Sequence, residues 1–169
     1  GYSYNDEFIV KLSTFIIVIA IFIFLFNFPF GKIFLGDSGS YIYALFSGAL
    51  IIYLFERHSQ LPTLLAMVIL SYPITEMLFS IFRKLYLKYS PLRPDVNHLH
   101  HLVFKKLHGN LKTRNNIASI IMLPFCIMPF VLTYFSVNYN LNDNFYKFII
   151  YFIIYSLSYL FLNKSINKI

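Results

Sequence analysis

Residues 12–31 read LSTFIIVIAIFIFLFNFPFG, twenty positions without a charged side chain. A helix needs about 20 apolar residues to cross the roughly 30 Å hydrocarbon core of a bilayer, so this run alone predicts a membrane span. The rest of the chain agrees. It is 58% hydrophobic and only 12% charged, whereas water-soluble domains carry about 25% charged residues. Four more apolar stretches follow at about 40–55, 61–82, 116–135 and 145–162, which with 8–30 gives about five spans. The expectation is an all-α integral membrane protein: a single multi-pass bundle over 1–169, with about five transmembrane helices and a short amphipathic interfacial helix. Asn27 and Pro29 mark the exit from the first span, Pro62 suits the first turn of the third, and Pro124 and Pro129 predict kinks in the fourth. The single cysteine, Cys126, has no disulfide partner in the chain and reads as a small core hydrophobe.

Charge orients these spans. The net charge is +7, yet eight of the fourteen Lys and Arg residues fall between Arg83 and Arg114, in one loop between apolar stretches. Basic residues beside spans mark the cytoplasmic side and attract acidic lipid headgroups or phosphate-bearing substrates, so membrane lipids are expected partners and a nucleic acid is not. With loop 83–114 inside, loop 31–39 and the C-terminus are also cytoplasmic, and the N-terminus is outside. The segments then left outside, 1–7, 56–60 and 136–144, contain one basic residue, Arg57.

Two polar stretches share the cytoplasmic face. The first, GKIFLGDSGS at 31–40, holds one acid, Asp37, between Gly36 and Gly39. The glycines allow a tight turn and close approach of a ligand, and Ser38 and Ser40 are good N-caps for the following helix. The stretch reads either as a polar turn or as a phosphate and metal site at a helix N-terminus. The second is SPLRPDVNHLHHLVFKKLHG at 90–109. With Asp95 as N-cap and Gly109 as stop, 96–108 is expected to be an amphipathic helix. His98, His101, Lys105 and His108 share one face, Leu99, Val103, Phe104 and Leu107 the other, and His100 falls on the apolar side. The histidine face fits a solvated surface, a zinc site or phosphate recognition, and Arg93, Lys105 and Lys106 favour phosphate. Glu76, inside the third span, is either functional, or paired with Arg83 or Lys84, or held by a bundle-facing hydrogen bond.

These residues resemble the polyprenyl-phosphate N-acetylhexosamine-1-phosphate transferases. Asn27-Phe28-Pro29 through Phe34-Leu35-Gly36-Asp37-Ser38-Gly39-Ser40 is similar to that family's N-x-P…F-x-G-D-x-G-S segment. Arg83-Lys84, Ser90-Pro91-Leu92-Arg93-Pro94-Asp95 and His98-Leu99-His100-His101 are similar to its S-P-x-x-P-D-x-x-H-x-H-H loop, in the form of the N-acetylglucosamine-type branch. The resemblance implies transfer of a sugar-1-phosphate from a UDP-N-acetylhexosamine to undecaprenyl phosphate, with Mg²⁺ or Mn²⁺, at the cytoplasmic face of a bacterial inner membrane. It implies that Asp37 is catalytic, as a metal ligand or by positioning the nucleotide diphosphate, that His98, His100 and His101 are catalytic, and that Arg93, Asp95, Lys105 and Ser38 bind substrate. A homodimer stays open. The family's paired-aspartate and N-x-x-N-x-x-D-G-x-D-G motifs do not occur in the chain, which is therefore expected to be the C-terminal part of a larger transferase and inactive alone. A reading of a different class is a small membrane metal-binding or transport protein with a cytosolic histidine loop.

Overall fold

The structure is a computed structural model that describes residues 6–29, 31–33, 35–92, 97–139 and 143–166. Among these the chain is all helical: α1 (Glu7–Asn27), α2 (Gly36–Arg57), α3 (Leu64–Ile69), α4 (Ser71–Tyr86), α5 (Leu99–Lys106), α6 (Leu111–Asn138) and α7 (Asn144–Ile166). Four of the described helices, α1, α2, α6 and α7, are long and apolar enough to cross a membrane. The helices fall into two compact units, Gly1–Thr63 and Leu64–Ile169, each with its own packing.

In the first unit α1 and α2 form an antiparallel pair. Tyr43 Oη donates to the Ile16 carbonyl at 2.6 Å, and the Phe8 and Tyr53 rings meet edge to face at 5.4 Å. Asp6 closes the pair. Its Oδ1 caps α1 by accepting from Ile9 N–H, while Oδ2 accepts from Arg57 Nε at 2.8 Å and lies 3.1 Å from His58 Nε2. The Ile9 N–H holds the Asp6 carboxyl below the usual carboxylate range, against desolvation as the next largest effect, and the Arg57 charge and His58 add to the lowering. A buried carboxylate is tolerable only when its oxygens are satisfied in this way. Most large apolar side chains of both helices point outward, as expected of helices solvated by lipid.

The entry to α2 differs from the expectation. The helix begins at Gly36, four residues before the anticipated Ser40, and neither Ser38 nor Ser40 is its N-cap. Leu35 holds that position without a side-chain hydrogen bond. Gly36 makes the early start possible, since its φ of +69° turns the chain directly into the helix. Ser40 Oγ instead donates back to the Gly36 carbonyl at 2.9 Å. Asp37 thus sits in the first helical turn, where the positive end of the helix dipole favours a carboxylate.

The second unit is built on a core of Leu99, Leu102, Val103, Met122, Tyr151 and Tyr155. Its first segment, expected as one continuous span over 61–82, is two helices broken at Leu70. Proline explains the break: Pro73 has no N–H for the Ile69 carbonyl and its ring would clash there, so α3 stops and Pro73 falls in the first turn of α4. Ser71 Oγ takes up the end of α3 through the Met67 and Val68 carbonyls at 3.0 and 2.7 Å. Pro62 lies two residues ahead of α3 rather than inside its first turn.

Pro129 poses the same problem inside α6, and the solution is tertiary. The Phe125 carbonyl, deprived of its helical donor, accepts from the buried Tyr151 Oη of α7 at 2.9 Å. We expect Tyr151→Phe to cost about 1 kcal/mol in thermal unfolding, and to cost measurably less in a Pro129→Ala background that restores the backbone donor. A coupling of about 0.5 kcal/mol or more in that double-mutant cycle is the expected reading. At the far end of α7, Lys147 Nζ joins Ser136 Oγ of α6 at 2.7 Å and Asp143 Oδ1 at 2.6 Å. Cys126 is exposed on α6 rather than packed in the core.

Candidate functional site

The histidine loop is short, and its position is set from both ends. α5 begins at Leu99, not at 96, and ends at Lys106; its N-cap is His98, whose extended backbone (φ −66°, ψ 159°) stops the helix from starting earlier. The anticipated cap Asp95, with Arg93, lies outside the described residues. Leu99, Leu102 and Val103 are buried, with Phe104 and Leu107 packed against the same core, so the apolar face turns to α6 and α7 rather than to lipid. Arg114 closes the C-terminal end by donating to the Phe104 carbonyl from Nε and Nη2 at 3.2 and 2.8 Å.

This shorter helix gathers three histidines. The His100 and His101 ring centroids are 4.1 Å apart, and His98 lies 5.7 Å from His100 and 5.9 Å from His101. His100, expected on the apolar side, is exposed beside the other two because the register starts at Leu99. Partial desolvation, and next the neighbouring His101, push the His100 pKa below the ordinary imidazole value of 6.5. The fourth member of the expected face, His108, is exposed beyond the end of α5.

Glu76 makes the bundle-facing hydrogen bond that is one of its expected roles. It is not Arg83 or Lys84 that meets the carboxylate but His98, whose Nδ1 lies 2.6 Å from Glu76 Oε2. The two cations hold the loop instead. Arg83 donates to the Asn97 carbonyl at 2.6 Å and to the Tyr159 hydroxyl, and Lys84 donates to the Pro91 carbonyl at 3.0 Å. Lys105 Nζ donates to Asn97 Oδ1 at 2.9 Å, which places its ammonium one residue from His98. The only foothold for Glu76 in the sequence was its own rarity as an acid in an apolar stretch.

Beside this group, α4 and α7 enclose a cleft of about 580 Å³ lined by Phe79, Phe82, Arg83, Tyr86, Asn97 and Tyr159, among others. It combines one guanidinium with aromatic walls. Asp37 and Ser38 belong to the other unit, both exposed in the first turn of α2. Gly39 follows closely behind them, where an added Cβ would fall 2.7 Å from the Leu35 side chain. Among the described residues, no three His, Cys, Asp or Glu side chains are arranged to hold a metal ion.

No protein-family model matches the chain, and no solved structure gives a significant match. One curated protein does. Over 128 residues the chain is 30% identical to the undecaprenyl-phosphate alpha-N-acetylglucosaminyl 1-phosphate transferase of Thermotoga maritima, a match covering 76% of this chain and 38% of that protein. The chain thus spans well under half the length of this relative. It is a membrane protein by its helices and a distant homologue of a polyprenyl-phosphate sugar-phosphate transferase.

Proposed function

We propose that this chain supplies part of the catalytic apparatus of a phosphoglycosyltransferase. That enzyme moves an N-acetylhexosamine-1-phosphate from a UDP-sugar to undecaprenyl phosphate and releases UMP. The observation that carries the reading is the group of three imidazoles at the start of α5, gathered around His98, in a chain related to such a transferase. The relation to the Thermotoga maritima protein and the charge topology together support the cytoplasmic face of a bacterial plasma membrane as the location.

The chemistry explains why these residue types are needed. An oxygen of the lipid phosphate forms a bond to the phosphorus that carries the sugar. The bond from that phosphorus to the bridging oxygen breaks, and UMP leaves with its electron pair. Both reactants are anions, so donors and cations must offset their repulsion and the charge gathering on the departing UMP. His98, His100 and His101 present ring nitrogens for the diphosphate oxygens, with Lys105 beside them and Arg93 and Asp95 assigned to the same loop. Because His100 gains a proton only below its ordinary range, its ring acts at neutral pH mainly as a hydrogen-bonding group that a phosphate can charge by proximity. The cleft at Arg83 suits the acceptor, with the guanidinium for its phosphate and Phe79, Phe82 and Tyr86 for the first isoprenoid units.

Asp37 fits one ligand of a divalent cation. Its exposed carboxylate is a hard oxygen donor, and Mg²⁺ commonly takes one or two carboxylates and completes its shell with water and phosphate oxygens. A cation held there would neutralise phosphate charge. Ser38, exposed beside it, offers a hydroxyl to the same anionic ligand.

Exchange of labelled UMP into UDP-N-acetylglucosamine tests the reading. It is run on the chain alone and on the chain preceded by whatever its gene encodes upstream of Gly1. Exchange that requires both undecaprenyl phosphate and Mg²⁺ is the expected result. Absence of exchange in both forms, with a folded protein, would remove it.

A further inference from the structure

Glu76 and His98 stand 22 residues apart in sequence yet form one unit, with Nδ1 of the ring 2.6 Å from Oε2 of the carboxylate. A carboxylate oxygen facing Nδ1 is matched by the ring tautomer that carries its proton there, which leaves Nε2 without one. The carboxylate is itself held from behind. Tyr72 Oη donates to Oε1 at 3.4 Å, and the Tyr155 hydroxyl interacts with the same group. The Glu76 side chain is 12% exposed, whereas the His98 side chain is 30% exposed. The carboxylate therefore faces protein and the ring reaches outward. The backbone of His98 is equally constrained, because it caps α5 and its carbonyl accepts from Leu102 N–H at 3.1 Å. The His98 ring lies within 4° of parallel to that of His100, so both imidazoles present their edges together.

We infer that Glu76 is a positioning residue: it holds His98 with the proton on Nδ1 and leaves Nε2 as the nitrogen that addresses a phosphate oxygen of the ligand. A carboxylate on Nδ1 favours the tautomer that leaves Nε2 unprotonated, and a role beyond tying α4 to α5 is read from turnover rather than from the spectrum. The consequence for turnover rests on the transferase reading, but the state of the ring does not.

The two are separable by experiment. The chain is labelled with ¹⁵N in its histidine rings, and the His98 signals are identified by their loss in His98→Gln. Wild-type His98 is expected to carry its proton on Nδ1. Glu76→Ala should shift it toward the Nε2–H form that free imidazole side chains favour, while Glu76→Gln, which keeps an acceptor oxygen, should retain Nδ1–H. A wild-type ring protonated only on Nε2, or an unchanged spectrum in Glu76→Ala, overturns the inference. If Glu76→Ala does not fold, the wild-type spectrum still decides. In the active enzyme, Glu76→Ala should lower kcat by about 10–100-fold, the size found when the carboxylate that orients a functional imidazole is removed. KM for UDP-N-acetylglucosamine should stay within about twofold, and Glu76→Gln should recover much of the loss. Unchanged kcat also overturns the inference. The expected wild-type spectrum without transfer by any form overturns the transferase reading and leaves the positioning role standing.

Discussion

Asp37→Asn is expected to lower sugar-phosphate transfer by at least about 100-fold, the loss that follows removal of a charge or donor acting directly on a transferring phosphoryl group. The substitution isolates charge. Asn matches Asp in size, keeps a carbonyl oxygen and still sits in the first turn of α2. What it gives up in stability is the carboxylate's attraction to the helix dipole, about 0.3–1 kcal/mol at an exposed position, so the melting temperature should move little. Ser40→Ala is the matched control, because the Ser40 hydroxyl is already committed to the Gly36 carbonyl. Activity near wild type in Ser40→Ala, together with its loss in Asp37→Asn, is the expected pattern in a membrane-based transfer assay. Retention of activity in Asp37→Asn would take the cation-ligand role away from Asp37.

The second large effect is expected at Leu99, which adjoins His98 and is fully buried between α5, α6 and α7. Leu99→Ala removes the packing that anchors the first turn of α5 and should cost about 2–5 kcal/mol in thermal or denaturant unfolding. Leu99→Met, which nearly conserves volume, should cost less than about 1.5 kcal/mol. Leu92, 95% exposed in the approach to the same loop, should tolerate Ala within about 0.5 kcal/mol. Because the histidine rings are placed by this helix turn, Leu99→Ala should lower turnover by more than its folded fraction explains. Equal losses at Leu99 and Leu92 would contradict the packing described for α5.

Much of the helical layout was legible because a bilayer imposes one rule on every span: bury the backbone and show apolar side chains. The run from Leu12 to Asn27 announces α1 for that reason, and Asn27 with Pro29 correctly marks its end. Pro73 lies in plain view inside the expected span 61–82, yet its effect on the helix does not. In an apolar run a helix carries a proline more readily where a neighbour takes up the freed carbonyl. At Pro129 Tyr151 does so from another helix, and α6 continues; at Pro73 the chain breaks into α3 and α4. Nothing local in the sequence distinguishes the two cases.

The histidine loop shows the same boundary. Its residue types pointed to anion chemistry, and the three rings do assemble. The helix start was misplaced because Asp95 is a good cap by type, whereas the extended backbone at His98 and the burial of Leu99 set the register. Glu76 stands out in the sequence, but the choice between the cations on its own helix and a hydrogen bond into the bundle does not. Those cations are drawn instead to the Asn97 and Pro91 carbonyls, which sit where the returning loop passes. A pairing across 22 residues depends on how α4 and α5 pack, and helical periodicity carries no information about that.

The central claim is tested most directly by following the sugar-phosphate itself. Membranes carrying the chain, preceded by whatever its gene encodes upstream of Gly1, are incubated with UDP-N-acetylglucosamine labelled in the sugar, undecaprenyl phosphate and Mg²⁺, and the lipid fraction is examined by mass spectrometry. Undecaprenyl diphosphate bearing N-acetylhexosamine, formed with one UMP per lipid and lost in Asp37→Asn, is the predicted result. UDP-sugar consumed with free sugar or sugar phosphate in the water phase and none on the lipid, or lipid product undiminished in Asp37→Asn, would contradict it.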